Sequence, residues 1–328
     1  RQRRRDTGTS IAQRFLQVHL MDNYAMISLA VVGLTCACLF IAPPWIYLYV
    51  TRTRRHRPLL QRWEQKISRT DFLDVIVVMV IYLTSQAVAL LVVVDLDVFT
   101  AASGFNPILI TPLNSAAGLS VMAGGLVTFT LVYLRRMDLR VIKFHFDRLG
   151  QQVLIGLITT ACVLPAILLI NGIVSVFVTQ YSHPVIDAFL SEMSLSALLS
   201  TAFSVVIAAP LVEEFVFRGV LLSFLQRIFD RNWTFETLVF CNNAIMPTRD
   251  ASQGITNRYG AIVVTSVLFA GLHVGQGAAY IPLFFLALAL GYVTQKTGSI
   301  LPAIIIHVSL NSLSTIMLAW TYLQSPIV

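Results

Sequence analysis

Of the sixteen carboxylates in this chain, two stand where a carboxylate is expensive. Glu213 and Glu214 lie side by side in the apolar run Ala208-Ala209-Pro210-Leu211-Val212-Glu213-Glu214-Phe215-Val216-Phe217-Arg218. An ionisable group inside such a run is a functional hypothesis in itself. Helical geometry separates the two. Arg218 lies about 40° from Glu214 around the helix axis and about 140° from Glu213. Glu214 and Arg218 are therefore an i,i+4 ion pair on one face, and Glu213 faces elsewhere, free for another partner. Repulsion between neighbours, together with burial, suits the unpaired carboxylate to the work of a general base. Pro210 lacks an N–H, so a helix here loses the bond to the Val206 carbonyl and kinks just before the pair.

Two histidines lie in later apolar runs. His273 sits in Phe269-Ala270-Gly271-Leu272-His273-Val274-Gly275, with Phe269 one turn before it on the same side. Gly271 and Gly275 form a small-residue face on which another helix is expected to pack. His307 begins His307-Val308-Ser309-Leu310-Asn311, so Asn311 shares its face one turn on. From residue 251 to the end there is no Asp or Glu. Any carboxylate chemistry near these histidines must borrow Glu213 or Glu214. Nothing in lipid satisfies such groups, so they must converge on one another.

A carboxylate beside a histidine can bind and deprotonate a water, and a His–Asn pair can donate hydrogen bonds to a developing oxyanion. These are the parts for hydrolysing a peptide bond without a covalent intermediate. The same Glu213, His273 and His307 could instead hold zinc. The contiguous signature His-Glu-x-x-His is absent, since neither glutamate adjoins a histidine. A proton relay in a coupled transporter would also place Glu, His and Arg inside spans. That alternative calls for two repeated halves with interrupted helices, and no repeat is visible.

The elements that must position these groups are membrane helices. The chain is 56% apolar and only 12% charged, with a mean hydropathy of +0.77. Soluble domains carry roughly 25% charge. Composition therefore argues against a soluble enzyme, a disordered tail or a nucleic-acid-binding domain, despite a net charge of +7. Apolar runs near 24–50, 75–94, 112–134, 153–178, 195–217, 261–277, 279–293 and 300–323 predict an all-α, polytopic helical bundle of about eight transmembrane helices. The sixth and seventh are short enough to form a hairpin or a re-entrant pair. The connecting loops alternate in charge: residues 51–70, 135–148 and 218–259 are basic, whereas 95–111 and 179–194 hold no Lys or Arg. This places the basic loops in the cytoplasm and in contact with anionic head groups. The arginines at positions 1–14 conflict with that assignment, because one span separates them from loop 51–70. The second span is bracketed by Asp71 and Asp74 at one end and by Asp95 and Asp97 at the other. The polar stretch 227–259 reads as a cytoplasmic loop with a short helix around 233–240. Cys36, Cys38, Cys162 and Cys241 outline neither a disulfide framework nor a zinc site.

Three motifs in order, EEFVFR (Glu213–Arg218), FAGLH (Phe269–His273) and HVSLN (His307–Asn311), resemble those of the CAAX-protease and bacteriocin-processing family, the type II CAAX prenyl endopeptidase-like intramembrane proteases. The resemblance covers roughly residues 194–316. It implies that Glu213 is the base that activates water together with His273, and that His307 and Asn311 polarise the scissile carbonyl and hold its oxyanion. It implies that Glu214, Arg218 and Phe269 support the site. A glutamate-dependent mechanism without a metal is favoured over zinc held by Glu213, His273 and His307. Relatives remove the last three residues of prenylated proteins or act on other peptides, so a membrane-associated, CAAX-like protein is one candidate substrate. A catalytically idle scaffold or immunity protein of the same fold is the alternative. The stretch between Arg218 and Phe269 is longer than the family leads one to expect, with a polar insert over 241–259.

The resulting division is an N-terminal region of about four spans (1–193) in which no motif is readable, a protease-like core (194–316) and a short end (317–328). The expected location is a multi-pass protein of a bacterial cytoplasmic membrane, its site opening toward the cytoplasm. The expected partners are the bilayer and a peptide or membrane-protein substrate, with no nucleic acid.

Overall fold

The structure is a computed structural model that describes residues 70–103, 112–178, 194–229 and 258–324, with isolated positions at 60, 63, 189–190 and 239. All of these belong to the compact unit Leu60–Val328. The first expected span, the N-terminal arginines, the loops 104–111 and 179–188, the expected helix around 233–240 and nearly all of the polar insert lie outside the described residues.

All regular structure among the described residues is helical. The helices are α1 (Phe72–Ser103), α2 (Pro112–Phe129, continued by a π-helical turn over Thr130–Leu134), α3 (Leu149–Phe177), α4 (Leu195–Phe229), α5 (Arg258–Gly271), α6 (Tyr280–Thr297) and α7 (Leu301–Gln324). Four apolar stretches, Leu149–Ser175, α4, Val274–Thr297 and α7, are long and apolar enough to cross a membrane. Shorter apolar stretches are Phe72–Ser85, Val121–Leu134 and Tyr259–Gly271. Of the eight or so expected spans, the described residues thus supply four on length and composition. Asp95 and Asp97 fall inside α1 rather than at its end.

Apolar residues divide between an inward core and an outward belt. Val78, Tyr82, Val127, Leu131, Val212, Val216, Phe217 and Phe269 form a buried cluster. A second cluster joins Ile167 of α3, Leu286, Leu290 and Val293 of α6, and Ala303 and Ile306 of α7. Outward faces carry Leu154, Leu199, Val267 and Ile316, all more than half exposed. Water would penalise so much exposed hydrocarbon, whereas lipid does not. With the four long apolar helices, this makes the chain an integral membrane protein.

Close helix contacts occur where glycine removes the side chain. A Cβ at Gly156 of α3 would stand 2.9 Å from Ile305 of α7, and one at Gly291 of α6 would stand 2.8 Å from Ile262 of α5. Among the described residues nothing packs on the expected face Gly271/Gly275. Both residues are exposed with open space where a Cβ would go. The reason is that α5 stops at Gly271, so the two glycines do not share a helix face.

One end of the bundle is stitched by polar contacts. The Asp71 and Asp74 amides each donate to the other's carboxylate, at 2.9 and 2.8 Å, closing a reciprocal cap at the start of α1. Arg135, just past α2, binds both carboxylates, reaching Asp74 at 2.7 Å. Lys143 donates to Gln226 of α4 at 2.8 Å, and its carbonyl accepts from Ile300 at 2.9 Å. At the opposite end Ser194 caps the start of α4 by accepting from the Ala197 amide at 3.1 Å.

Candidate active site

Helix α4 carries both glutamates and is not uniformly α-helical. Two π-helical stretches, Phe203–Ala208 and Phe215–Leu221, flank the α-helical residues Ala209–Glu214. Pro210 accounts for part of this. In the first stretch the Ala209 amide bonds back five residues to the Ser204 carbonyl. The next bond of that pattern would run from residue 210 to the Val205 carbonyl, and proline has no N–H to give. The freed carbonyl is therefore Val205, one residue earlier than α-helical counting gives. Asn311 of α7 fills the gap, its side-chain amide donating to the Val205 oxygen at 2.8 Å.

Glu214 and Arg218 make the ion pair expected from their spacing, Nη1 to Oε1 at 3.1 Å, both essentially inaccessible. The same Oε1 accepts from Nδ1 of His307 at 2.9 Å, so α4 and α7 are joined through one carboxylate oxygen. Glu214 Oε2 is buried and makes no hydrogen bond. Glu213 turns away from the pair. Its side chain is 13% exposed, and its Oε2 stands 3.9 Å from Nε2 of His307. Tyr82 of α1 is buried nearby, its ring edge-on to Phe217 at 6.1 Å.

Phe269 of α5 is the hub. Its fully buried ring lies 4.5 Å under the Arg218 guanidinium, 5.2 Å edge-on from Phe217, 4.8 Å from the His273 ring and 5.9 Å from the His307 ring. One phenyl ring thus spaces both imidazoles and covers the cation of the ion pair, a stabilising cation–π contact.

His273 is not within a helix. Beyond Gly271 the chain turns, runs through a short 3-10 segment at Val274–Ala279 and starts α6. Within that segment Gly277 adopts φ +65°, which only glycine takes without strain. The short sixth and seventh apolar runs are therefore a broken pair with His273 at the break. Its Nδ1 lies 2.8 Å from the Phe269 carbonyl. A carbonyl only accepts, so Nδ1 carries the proton and Nε2 presents a lone pair. The ring is half-buried, unlike His307.

The structure thus brings Arg218 and His307 onto Glu214, sets Glu213 3.9 Å from His307 and packs both His273 and His307 on the Phe269 ring, while Asn311 commits one N–H to the Val205 carbonyl. Sequence reasoning gave no role to Phe217, although it lies within EEFVFR beside Arg218, or to Tyr82. Tyr82 stands two residues before the polar run Thr84-Ser85-Gln86 in an otherwise apolar span. Glu213, His273 and His307 were also the candidate zinc ligands. Among the described residues, no three His, Cys, Asp or Glu side chains gather into a group able to hold a metal ion. His307 Nδ1 is already bound to Glu214, and Glu213 faces the remaining nitrogen at a separation suited to an intervening small molecule.

No curated protein matches the chain, and no solved structure does. One family model does, described as type II CAAX prenyl endopeptidase Rce1-like, over residues 195–313. That interval holds all three motifs and every residue around Phe269 except Tyr82. The segment Leu195–Leu313 belongs to the Rce1-like family of CAAX-type membrane proteases.

Proposed function

We propose that this chain is an intramembrane endopeptidase that hydrolyses a peptide bond with a water activated by Glu213. The observation that carries the reading is the 3.9 Å separation of Glu213 Oε2 and His307 Nε2 beside the closed Glu214–Arg218 pair. That gap is too long for a direct hydrogen bond. A water at about 2.8 Å from each atom would subtend roughly 90°, which its own geometry tolerates.

In this mechanism Glu213 takes a proton from the water as oxygen attacks the scissile carbonyl. The His273 Nε2 lone pair accepts a hydrogen bond from the water's other O–H, which stays on the attacking oxygen, and aims it. Negative charge then builds on the carbonyl oxygen. His307, with Nδ1 held by Glu214, offers an Nε2–H when protonated, and Asn311 has a second amide N–H beyond the one given to Val205. Both donate to the oxyanion. Collapse of the tetrahedral species breaks the C–N bond, and Glu213 passes its proton to the leaving amine. Arg218 sits against the Glu214 carboxylate, so that buried charge is paired. Each step runs on side chains alone, and zinc is not invoked. The proposed substrate is a membrane-associated or CAAX-like protein, reached from the cytoplasmic side of a bacterial membrane.

The test compares peptide termini in membranes from cells carrying the wild-type chain or Glu213→Gln at matched abundance. New termini seen only with the wild type are expected and hand over the substrate. Identical termini in both would overturn the reading in favour of an idle scaffold.

A further inference from the structure

The polar stitching at the Gln226 end of the bundle passes through one residue, Lys143. It lies between α2 and α3, ahead of the segment that matches the family. It is 6% exposed and adopts φ +66°, in the left-handed region that side chains rarely enter. A backbone held there against its own preference points to a constraint from its surroundings. The constraint acts through both ends of the residue. The ammonium donates to the Gln226 side chain of α4 at 2.8 Å, and the carbonyl accepts from the Ile300 amide, just ahead of α7, at 2.9 Å. One residue thus grips the two helices that carry Glu213 and His307. Its neighbours hold it in place. The Ile142 carbonyl would stand 3.0 Å from a Cβ at Gly219, so α4 lies directly on this backbone. His145 Nε2 donates to the Gly298 carbonyl at 3.2 Å. The fully buried Gln152 amide donates to the Asp147 carbonyl at 2.6 Å, and its oxygen accepts from Ser299. Burying an ammonium is costly, so packing alone would be better served by an apolar side chain.

We propose that Lys143 is a positioning residue that sets the separation of Glu213 and His307. Hydrogen bonds tie α4 to α7 at successive levels: through Lys143, then from His307 to Glu214, then from Asn311 to Val205. Ile300 precedes His307 by seven residues, about 10 Å of helix. A shift of α7 against α4 at Lys143 is therefore carried to the imidazole. This rests on the proposed role of Glu213 and brings the loop between α2 and α3 to bear on the site. Without the side-chain contact, the 3.9 Å gap that receives the water is less firmly held. Misplacing a reacting group by a fraction of its contact distance slows chemistry more than it weakens binding. Loss of the Lys143–Gln226 contact should therefore lower kcat and leave KM nearly unchanged.

The experiment uses the full-length chain purified in detergent, as wild type, Lys143→Met, Gln226→Leu, their double variant and Glu213→Gln. The probe is a peptide spanning the most abundant terminus formed only by the wild type, assayed well below each unfolding transition. Lys143→Met and Gln226→Leu should each lower kcat about tenfold, the scale of one hydrogen bond to a charged group, with KM within about twofold. The double variant should be no slower than either single one, because both remove the same bridge. Lys143→Gly, which adopts φ +66° freely, guards against misfolding and should lose as much as Lys143→Met. Full kcat in any of these, alongside an inactive Glu213→Gln, would overturn the inference while leaving the proposed function standing. Losses that multiply in the double variant, or that fall on KM with kcat kept, would also overturn it. A second readout needs no activity. Nitroxide labels at the outward positions Leu211 and Ile316, with the four native cysteines replaced by serine, report the separation of α4 and α7. Lys143→Met should broaden that distance distribution, and an unchanged distribution would overturn the inference. An active Glu213→Gln is a different outcome, because it removes the proposed function itself while the label distance still tests the bridge.

Discussion

Replacing Arg218 by methionine tests whether the buried ion pair is the structural base of the site. Methionine keeps most of the side-chain volume and removes the charge. Arg218 and Glu214 stand 3.1 Å apart with neither accessible to water. At an effective dielectric of about 20, that separation gives an attraction of about 5 kcal/mol. Removing one partner strands a buried charge, and such losses run at about 3–5 kcal/mol. The cation–π contact with Phe269, at 4.5 Å, adds about 0.5–2 kcal/mol to what Arg218→Met loses. Glu214→Gln should cost less. It strands the guanidinium, but Phe269 still faces that cation, and the amide oxygen introduced by the substitution can still accept from His307. The double variant leaves no buried charge unpaired at this pair. It should be more stable than Arg218→Met alone, with a coupling of about 2 kcal/mol or more between the sites. The assay is equilibrium unfolding of the four proteins in mixed micelles. The reasoning is refuted if Arg218→Met loses less than about 1 kcal/mol, or if the two single losses simply add.

Glu213→Gln and His273→Ala should each lower cleavage by at least about a hundredfold, the scale of a lost general base. Their unfolding midpoints should match the wild type, since neither residue belongs to the buried pair. Gly156→Ala should destabilise by about 1–3 kcal/mol because the new methyl meets Ile305 at 2.9 Å, whereas Gly275→Ala, with open space around it, should stay within about 0.5 kcal/mol. Equal losses at the two glycines, measured by unfolding, would contradict the helix contacts. Asn311→Leu should cost about 1–3 kcal/mol by leaving the Val205 carbonyl unpaired. Adding Pro210→Ala supplies a backbone N–H and should restore part of that loss. A double variant no more stable than Asn311→Leu would show that Pro210 is not what frees the carbonyl.

What could be read in the sequence was whatever local geometry or the cost of polarity decides. The Glu214–Arg218 pair follows from four-residue spacing, which holds even though the second π-helical stretch begins at Phe215. The meeting of His307 with the glutamates follows from the absence of any other partner in lipid, whereas His273 contacts Phe269 through its ring and Nδ1. The contact of Phe269 with His273 was also visible as one turn of separation, although the helix ends between them.

The missed features depend on counting backbone bonds or on which helix comes near. Membrane helices are apolar on every side, so hydrophobic periodicity says nothing of which face meets the core. That is why Gly271 and Gly275 looked like a packing face while Gly156 and Gly291 did the packing. The same blindness hid the inward packing of Tyr82 on Phe217. Pro210 shows the limit of local rules most clearly. The rule that proline frees a carbonyl holds, but the carbonyl it frees depends on whether the turn before it is α or π. Val206 would be freed in the first case, and Val205 is freed in the second. The choice matters beyond the helix. It decides that Asn311 spends one N–H on α4, leaving the other for the proposed oxyanion contact, and it ties the last motif to the turn just before the two glutamates. The π-helical turn is thus part of the site: it fixes where Glu213 stands relative to His307, although no motif residue lies within it.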